Sequence, residues 1–245
     1  MDPVVTGTAG ELPLLEGHIS RAFDGDLASL QLRVTAMGGL VLNQVQNAVS
    51  AYADWQAEIA QGVTLREPQV NAAEQQIDQE ALQLIARRQP MAHDLRAILS
   101  FERSVSDLER IGDEANKIAR LVLAGSARGD AQGAERPAQA TAREVRQLGR
   151  LAAQLVRSAV EAFDGMDARI ATQVIQRDRE LDEEYAAGLR RLLTRAMEDP
   201  RNLQGTVQSA FVLKSIERIG DHARNVAQQV VGLVEAARSA RASDL

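Results

Sequence analysis

The chain has 245 residues, a net charge of −6, 45% apolar and 3% aromatic residues, and no cysteine. A net negative charge without any basic block argues against nucleic acid as a main partner. The missing thiols exclude disulfides, thiolate catalysis, zinc fingers and iron–sulfur ligation.

Residues 1–16 carry Gly, Thr and Pro without apolar periodicity. They read as a flexible tail and lack the basic start and apolar run of a signal peptide. From about Asp24 to Gly62, Leu30, Val34, Met37, Leu40, Val41, Val45 and Val49 recur at helical spacing and predict a first helix. Gly38 and Gly39 interrupt its middle, which points to the close approach of a neighbouring helix. A second helix is expected to begin between Thr64 and Pro68 and to stop near Gln89, before Pro90. The third runs from about Met91 to Ala124. The Gly-rich segment after it reads as a linker over 125–136. Pro137 suits the first turn of a fourth helix, which reaches about Phe163. Asp167 is placed to cap a fifth helix ending near Glu198, and a sixth follows Pro200 to about Ala237. No segment alternates like a strand. A core of Leu, Val, Ile and Ala with few aromatics also suits helix-on-helix packing. The expected fold is all-α: a three-helix bundle over 17–124, a second over 137–238, and a short tail over 239–245. No apolar run approaches the ~20 residues of a membrane span, so a soluble, cytoplasmic protein without membrane insertion is expected.

Two segments are nearly identical: Leu108-Glu-Arg-Ile-Gly-Asp113 and Ile216-Glu-Arg-Ile-Gly-Asp221, 108 positions apart. Such a match implies a tandem duplication. Glu74-Gln-Gln-Ile-Asp78 and Asp178-Arg-Glu-Leu-Asp182 form a second matching pair at an offset of 104, which suggests a short insertion in the second copy near Met197–Leu203. Residues four apart share a helix face. Both acidic pairs of each copy fall at the edge of an apolar arc, so four carboxylates could meet at one helix–helix seam. Oxygen ligands without cysteine suit Mg, Mn, Ca or Fe cations, with Zn as a further candidate. The alternative is a set of solvated acids balanced by arginines such as Arg110 and Arg218. None of His18, His93 and His222 follows a glutamate by three, unlike the ligand pattern of di-iron bundles. His222 beside Asp221 reads as a solvated residue. No phosphate-cradling loop or nucleophile elbow is present, so the chain is not expected to be an enzyme.

The paired Glu-Arg-Ile-Gly-Asp segments, His18-Ile-Ser-Arg-Ala-Phe-Asp-Gly-Asp-Leu27, Met37-Gly-Gly-Leu-Val41 and Arg88-Gln-Pro-Met-Ala-His-Asp-Leu-Arg96 resemble the PhoU family over about residues 17–238. The resemblance implies two repeated three-helix bundles whose acidic pairs hold metal clusters. By position these are Glu74, Asp78, Glu109 and Asp113, and Asp178, Asp182, Glu217 and Asp221. It also implies a homodimer and a negative regulator of the phosphate-starvation response. Such a regulator bridges the ATPase of a phosphate ABC transporter and a phosphate-sensing histidine kinase. A metal-dependent phosphohydrolase and a purely structural bundle are the competing functions.

Overall fold

The computed structural model describes residues 21–127 and 136–243. Six long helices follow one another: α1 (Arg21–Asp54), α2 (Ala57–Arg88), α3 (Ala92–Ala127), α4 (Gln139–Asp164), α5 (Ala168–Glu198) and α6 (Leu203–Ser243), with a 3-10 turn at Pro200–Asn202 before the last. Among the described residues there is no strand. The tail expected over 1–16 lies outside them, as does most of the linker. α6 continues to Ser243, through most of the expected C-terminal tail.

On α1, Phe23, Leu27, Leu30, Val34, Met37, Val41, Val45, Ala48 and Tyr52 are all buried. Their steps of three and four trace one continuous stripe. The helix ends at Asp54, eight residues before the expected boundary at Gly62. Trp55 takes a left-handed conformation (φ 55°), and Gln56 N–H donates to the Ala51 carbonyl at 2.8 Å. A glycine ordinarily ends a helix this way. Here the strain of a tryptophan is offset by its ring packing edge-on against Tyr52, centroids 5.9 Å apart. The chain re-enters a helix at once, so Gly62 and Pro68 both lie within α2.

The same turn recurs between α4 and α5. Met166, 111 positions after Trp55, is also left-handed, and Asp167 N–H donates to the Ala162 carbonyl at 2.9 Å. Asp167 caps α5 as expected, accepting from the amides of Arg169 and Ile170. Pro137 precedes the α4 cap at Ala138 instead of entering the first turn.

Each copy forms its three-helix bundle, and the two share one core. α1 packs on α4 and α3 on α6, so α2 and α5 flank a central set of four helices. Phe101 of α3 meets Phe163 of α4 with centroids 4.9 Å apart. Gln31 of α1 donates to the final carbonyls of α4, Phe163 at 3.1 Å and Asp164 at 2.8 Å. Gly38 explains the α1–α4 approach: a Cβ there would stand 2.6 Å from Val160 Cγ2. Gly149 on α4 faces Val49 on α1 in the reciprocal contact, again 111 positions on from Gly38. Gly39 meets nothing within 4 Å, so only the first glycine of the pair makes the expected close approach.

Candidate metal centre

The seam between α2 and α3 carries six carboxylates, two more than expected. Glu67 faces Asp113, Glu74 neighbours Glu109 and Asp113, and Glu102 faces Asp78. Because the helices run antiparallel, one acid on α2 meets one on α3 in successive facing pairs. Burial, then contact with Asp113 and the charge of Glu109, push the Glu67 carboxyl up to about 7. Burial, then contact with Asp78 and the charge of Glu74, push Glu102 up to about 8. Glu74 is raised by burial and by Glu109, Asp78 and Asp113, and Glu109 by burial and Asp113. Two facing carboxyls are bonded only when they share a proton or a cation; when both are ionised they repel.

Of the four acids expected in the first copy, Glu74, Glu109 and Asp113 come together. Asp78 stands one turn further along, against Glu102 and Glu74. Sequence reasoning missed Glu67 and Glu102. The structural repeat shows why Glu67 escaped. Gly112 and Gly220 each let a flanking helix close in. A Cβ on Gly112 would meet Val70 Cγ1 at 3.4 Å, and one on Gly220 would strike the Leu181 side chain. Val70 and Leu181 are 111 positions apart, the offset of the two interhelical turns. The counterpart of Asp178 is therefore Glu67, and that of Asp182 is Asn71. Glu74 and Asp78 lie seven residues past those positions and correspond to Tyr185 and Leu189. The offset falls from 111 on α2 to 108 on α3. The second copy is thus three residues shorter between the paired helices, and the expected insertion is not there.

The second seam is built differently. Asp178 is only 2% exposed. Arg224 on α6 reaches its Oδ2 at 2.6 Å through Nη1 and Asp221 Oδ1 at 3.0 Å through Nη2. Asp182 adds to the field at the same guanidinium. Burial raises Asp178 against the pull of Arg224. Glu217 accepts from Lys214 at 2.5 Å, and Lys214 lies 5.5 Å from the Tyr185 ring centroid. The four expected acids share a seam, but three gather round an arginine and the fourth, Glu217, meets a lysine. Residue 116, the counterpart of 224, is Asn.

Other acids near the motifs join the copies. Glu114 is buried between Lys117 (2.9 Å) and Arg218 (3.0 Å). Asp107 accepts from Asn225 at 3.1 Å and contacts His222 Nδ1 at 2.8 Å. His222 is thus buried between α3 and α6, not solvated, and Arg218 serves Glu114 instead of the clustered acids.

Hard-oxygen chemistry fits the first seam. Gln44 of α1 is buried with its Nε2 donating to Glu67 Oε2 at 3.5 Å, and its own Oε1 has no partner. Glu102 Oε1 and Glu67 Oε1 are also buried, with no hydrogen bond beyond the facing Asp78 and Asp113 carboxyls. Such orphaned oxygens cost stability unless a proton or cation meets them. Among the described residues, no three carboxylates or histidines already stand around a single point in metal-holding geometry. The acids are arrayed as facing pairs, so a bound cation would have to draw neighbouring pairs inward.

The PhoU domain model matches residues 34–122 and 145–230. The two matches begin 111 positions apart and end 108 apart, which reproduces the structural change of offset. A phosphate-specific transport system accessory protein PhoU homolog of Pseudomonas aeruginosa is 44% identical over 220 residues, covering 90% of this chain and 88% of that protein. The phosphate-specific transport system accessory protein PhoU of Escherichia coli K12 is 34% identical over 214 residues, 87% of this chain and 86% of that protein. The crystal structure of PhoU from P. aeruginosa superposes with a TM-score of 0.81 at 43% identity, covering 87% of this chain and 99% of that one. The phosphate transport system regulatory protein PhoU from Streptococcus pneumoniae gives 0.75 at 26% identity, covering 86% of this chain and 96% of that one. Two copies of the domain model, full-length relatives and the six-helix architecture agree: this chain belongs to the PhoU family.

Proposed function

We propose that this protein is a metal-binding regulatory adaptor of a phosphate-specific transport system. The observation that carries the metal reading is the first-copy seam: six carboxylates, several half-buried and held up in their pKa, with no Lys or Arg ion-paired to any of them among the described residues. Glu67, Glu74, Glu109 and Asp113, with Gln44 behind them, would hold a cation; Asp78 and Glu102 would extend the site along the seam. All are hard oxygen donors, which favours Mg, Mn or Fe over softer metals. A bound cation would add positive charge at a seam whose acids have no ion-paired Lys or Arg among the described residues; Arg110, Lys117 and His222 act on Glu109 only through their more distant charge. The cation acts here as a structural and electrostatic element.

The regulatory role rests on the relatives, which are named accessory or regulatory proteins of phosphate transport. In this reading the protein is cytoplasmic and dimeric. It restrains phosphate uptake and the starvation response by contacting the transporter ATPase and the phosphate-sensing histidine kinase. No helix among the described residues is long and apolar enough to cross a membrane. An adaptor changes a partner's output only through unequal affinity for the partner's two states. The test has two arms. Melting of chelator-treated protein with added Mn²⁺ should show a rise in Tm; no rise would refute the metal reading. Co-purification with the transporter ATPase from cells grown at high and low phosphate should show a phosphate-dependent difference. Equal absence in both would refute the adaptor reading.

A further inference from the structure

We propose that the two copies have divided their cation chemistry: the first takes an exchangeable divalent metal, and the second holds a built-in cation, the Arg224 guanidinium. This rests on the metal reading above and concerns which seam the metal uses.

The two seams share a scaffold, so their differences can be compared position by position. In the second, Arg224 spans Asp178 and Asp221, and Lys214 holds Glu217. A guanidinium offers several donors in a rigid fork and cannot be deprotonated, so it is a permanent occupant. A metal entering there would have to displace it and leave a half-buried arginine without its carboxylates. In the first seam Asn116 stands where Arg224 stands in the second, and Ser106 stands where Lys214 does. An asparagine carries no charge to set against Glu67 and Asp113.

Most of the remaining substitutions push the same way. Glu74 in the first copy corresponds to Tyr185 in the second, Asp78 to Leu189, Glu102 to Ala210 and Gln44 to Leu155, while Asn71 against Asp182 runs the other way. The first seam thus gains three acids and a buried amide and lacks one acid, a net gain of two acids. Gln44 is a second, independent pointer to a ligand. It is a neutral side chain 2% exposed, bonded to Glu67 through its nitrogen while its oxygen lacks a partner. Leu155 could not play that part.

Binding of Mn²⁺ to the full-length, chelator-treated protein can be counted by electron paramagnetic resonance and followed by melting. The wild type should bind Mn²⁺. Binding should be lost in Glu109→Gln/Asp113→Asn and retained in Asp182→Asn/Asp221→Asn. Asn116→Arg should place a guanidinium in the first seam, abolish Mn²⁺ binding and raise the melting temperature of the metal-free protein. Arg224→Asn should lower that temperature and open a second Mn²⁺ site. Equal loss of Mn²⁺ in the two acid-to-amide variants, or unaltered binding in Asn116→Arg, would overturn the division while leaving the metal reading intact. If neither wild type nor Arg224→Asn binds Mn²⁺, the metal reading fails and takes the exchangeable half of the division with it. The built-in half is then judged on metal-free melting alone: it survives if Arg224→Asn melts lower, and falls if that variant melts like wild type or higher. Should Arg224→Asn fail to fold, Asn116→Arg decides the first half by itself.

Discussion

Glu67→Gln is the most direct probe of the strain in the first seam. The folded state holds the Glu67 proton up to about 7, against 4.5 for an unperturbed glutamate. Each unit is worth about 1.4 kcal/mol, so the gap corresponds to about 3 kcal/mol. The direction follows from linkage. A carboxyl raised on folding is most favourable while protonated in both states, below pH 4.5. That advantage is lost as pH rises through 4.5 to 7. Above 7 the metal-free fold carries an ionised Glu67 against Asp113. Glutamine has the same shape and no charge, and its amide can donate to the Asp113 carboxylate. The variant should match wild type at pH 4.5 and exceed it at pH 8 by up to about 3 kcal/mol, roughly 6–12 °C in Tm for a chain of this size. The assay is thermal or urea unfolding of chelator-treated protein across that pH range. A variant less stable than wild type at pH 8, or a difference independent of pH, would falsify the claim that the seam is under like-charge strain. Added Mn²⁺ should then favour wild type and narrow the gap.

Three further outcomes can be checked by the same unfolding measurements. Glu109→Gln with Asp113→Asn should lose the metal response yet leave the metal-free fold at least as stable; a less stable variant would mean that these acids are structural ion-pair partners. Gly38→Val should destabilise by roughly 1–3 kcal/mol because its side chain would overpack against Val160, whereas Gly39→Ala, facing open space, should be neutral or stabilising by up to about 1 kcal/mol. Tyr52→Phe removes the 3.0 Å contact to Ser209 that ties α1 to α6 and should cost about 1 kcal/mol. An unchanged unfolding curve there would mean that the contact adds nothing to the joining of the copies.

The helices were legible because they are long and their apolar stripes are regular. The Asp167 cap was legible because an aspartate ahead of an apolar periodic run is a local signal. The end of α1 was not, because Trp55 makes a turn that glycine usually makes, and no Gly or Pro marks the place. The edge-on contact with Tyr52, three residues back, helps hold that conformation, but it is not a standard turn signal in the sequence. The shared core was hidden because it rests on contacts between distant residues. Gly149 announces an approach only once Val49 is seen opposite it.

The register between the two copies misleads in a more instructive way. Seven residues are close to two helical turns, so a slip of seven keeps every side chain on nearly the same face. Glu74-x-x-x-Asp78 therefore passes for the partner of Asp178-x-x-x-Asp182 on pattern and on face alike. The true counterpart, Glu67-x-x-x-Asn71, is disguised by one neutral residue and by Pro68, which reads as a helix start. What breaks the tie is a distance between helices: Gly112 meets Val70, and Gly220 meets Leu181. With that register set, the acids expected on α2 remain in the seam as extra charges the second copy lacks. One aligned position then separates the copies electrostatically, Asn116 against Arg224. A duplication gives two seams of one shape, and a single basic side chain is enough to give one of them a permanent counterion and leave the other in need of one.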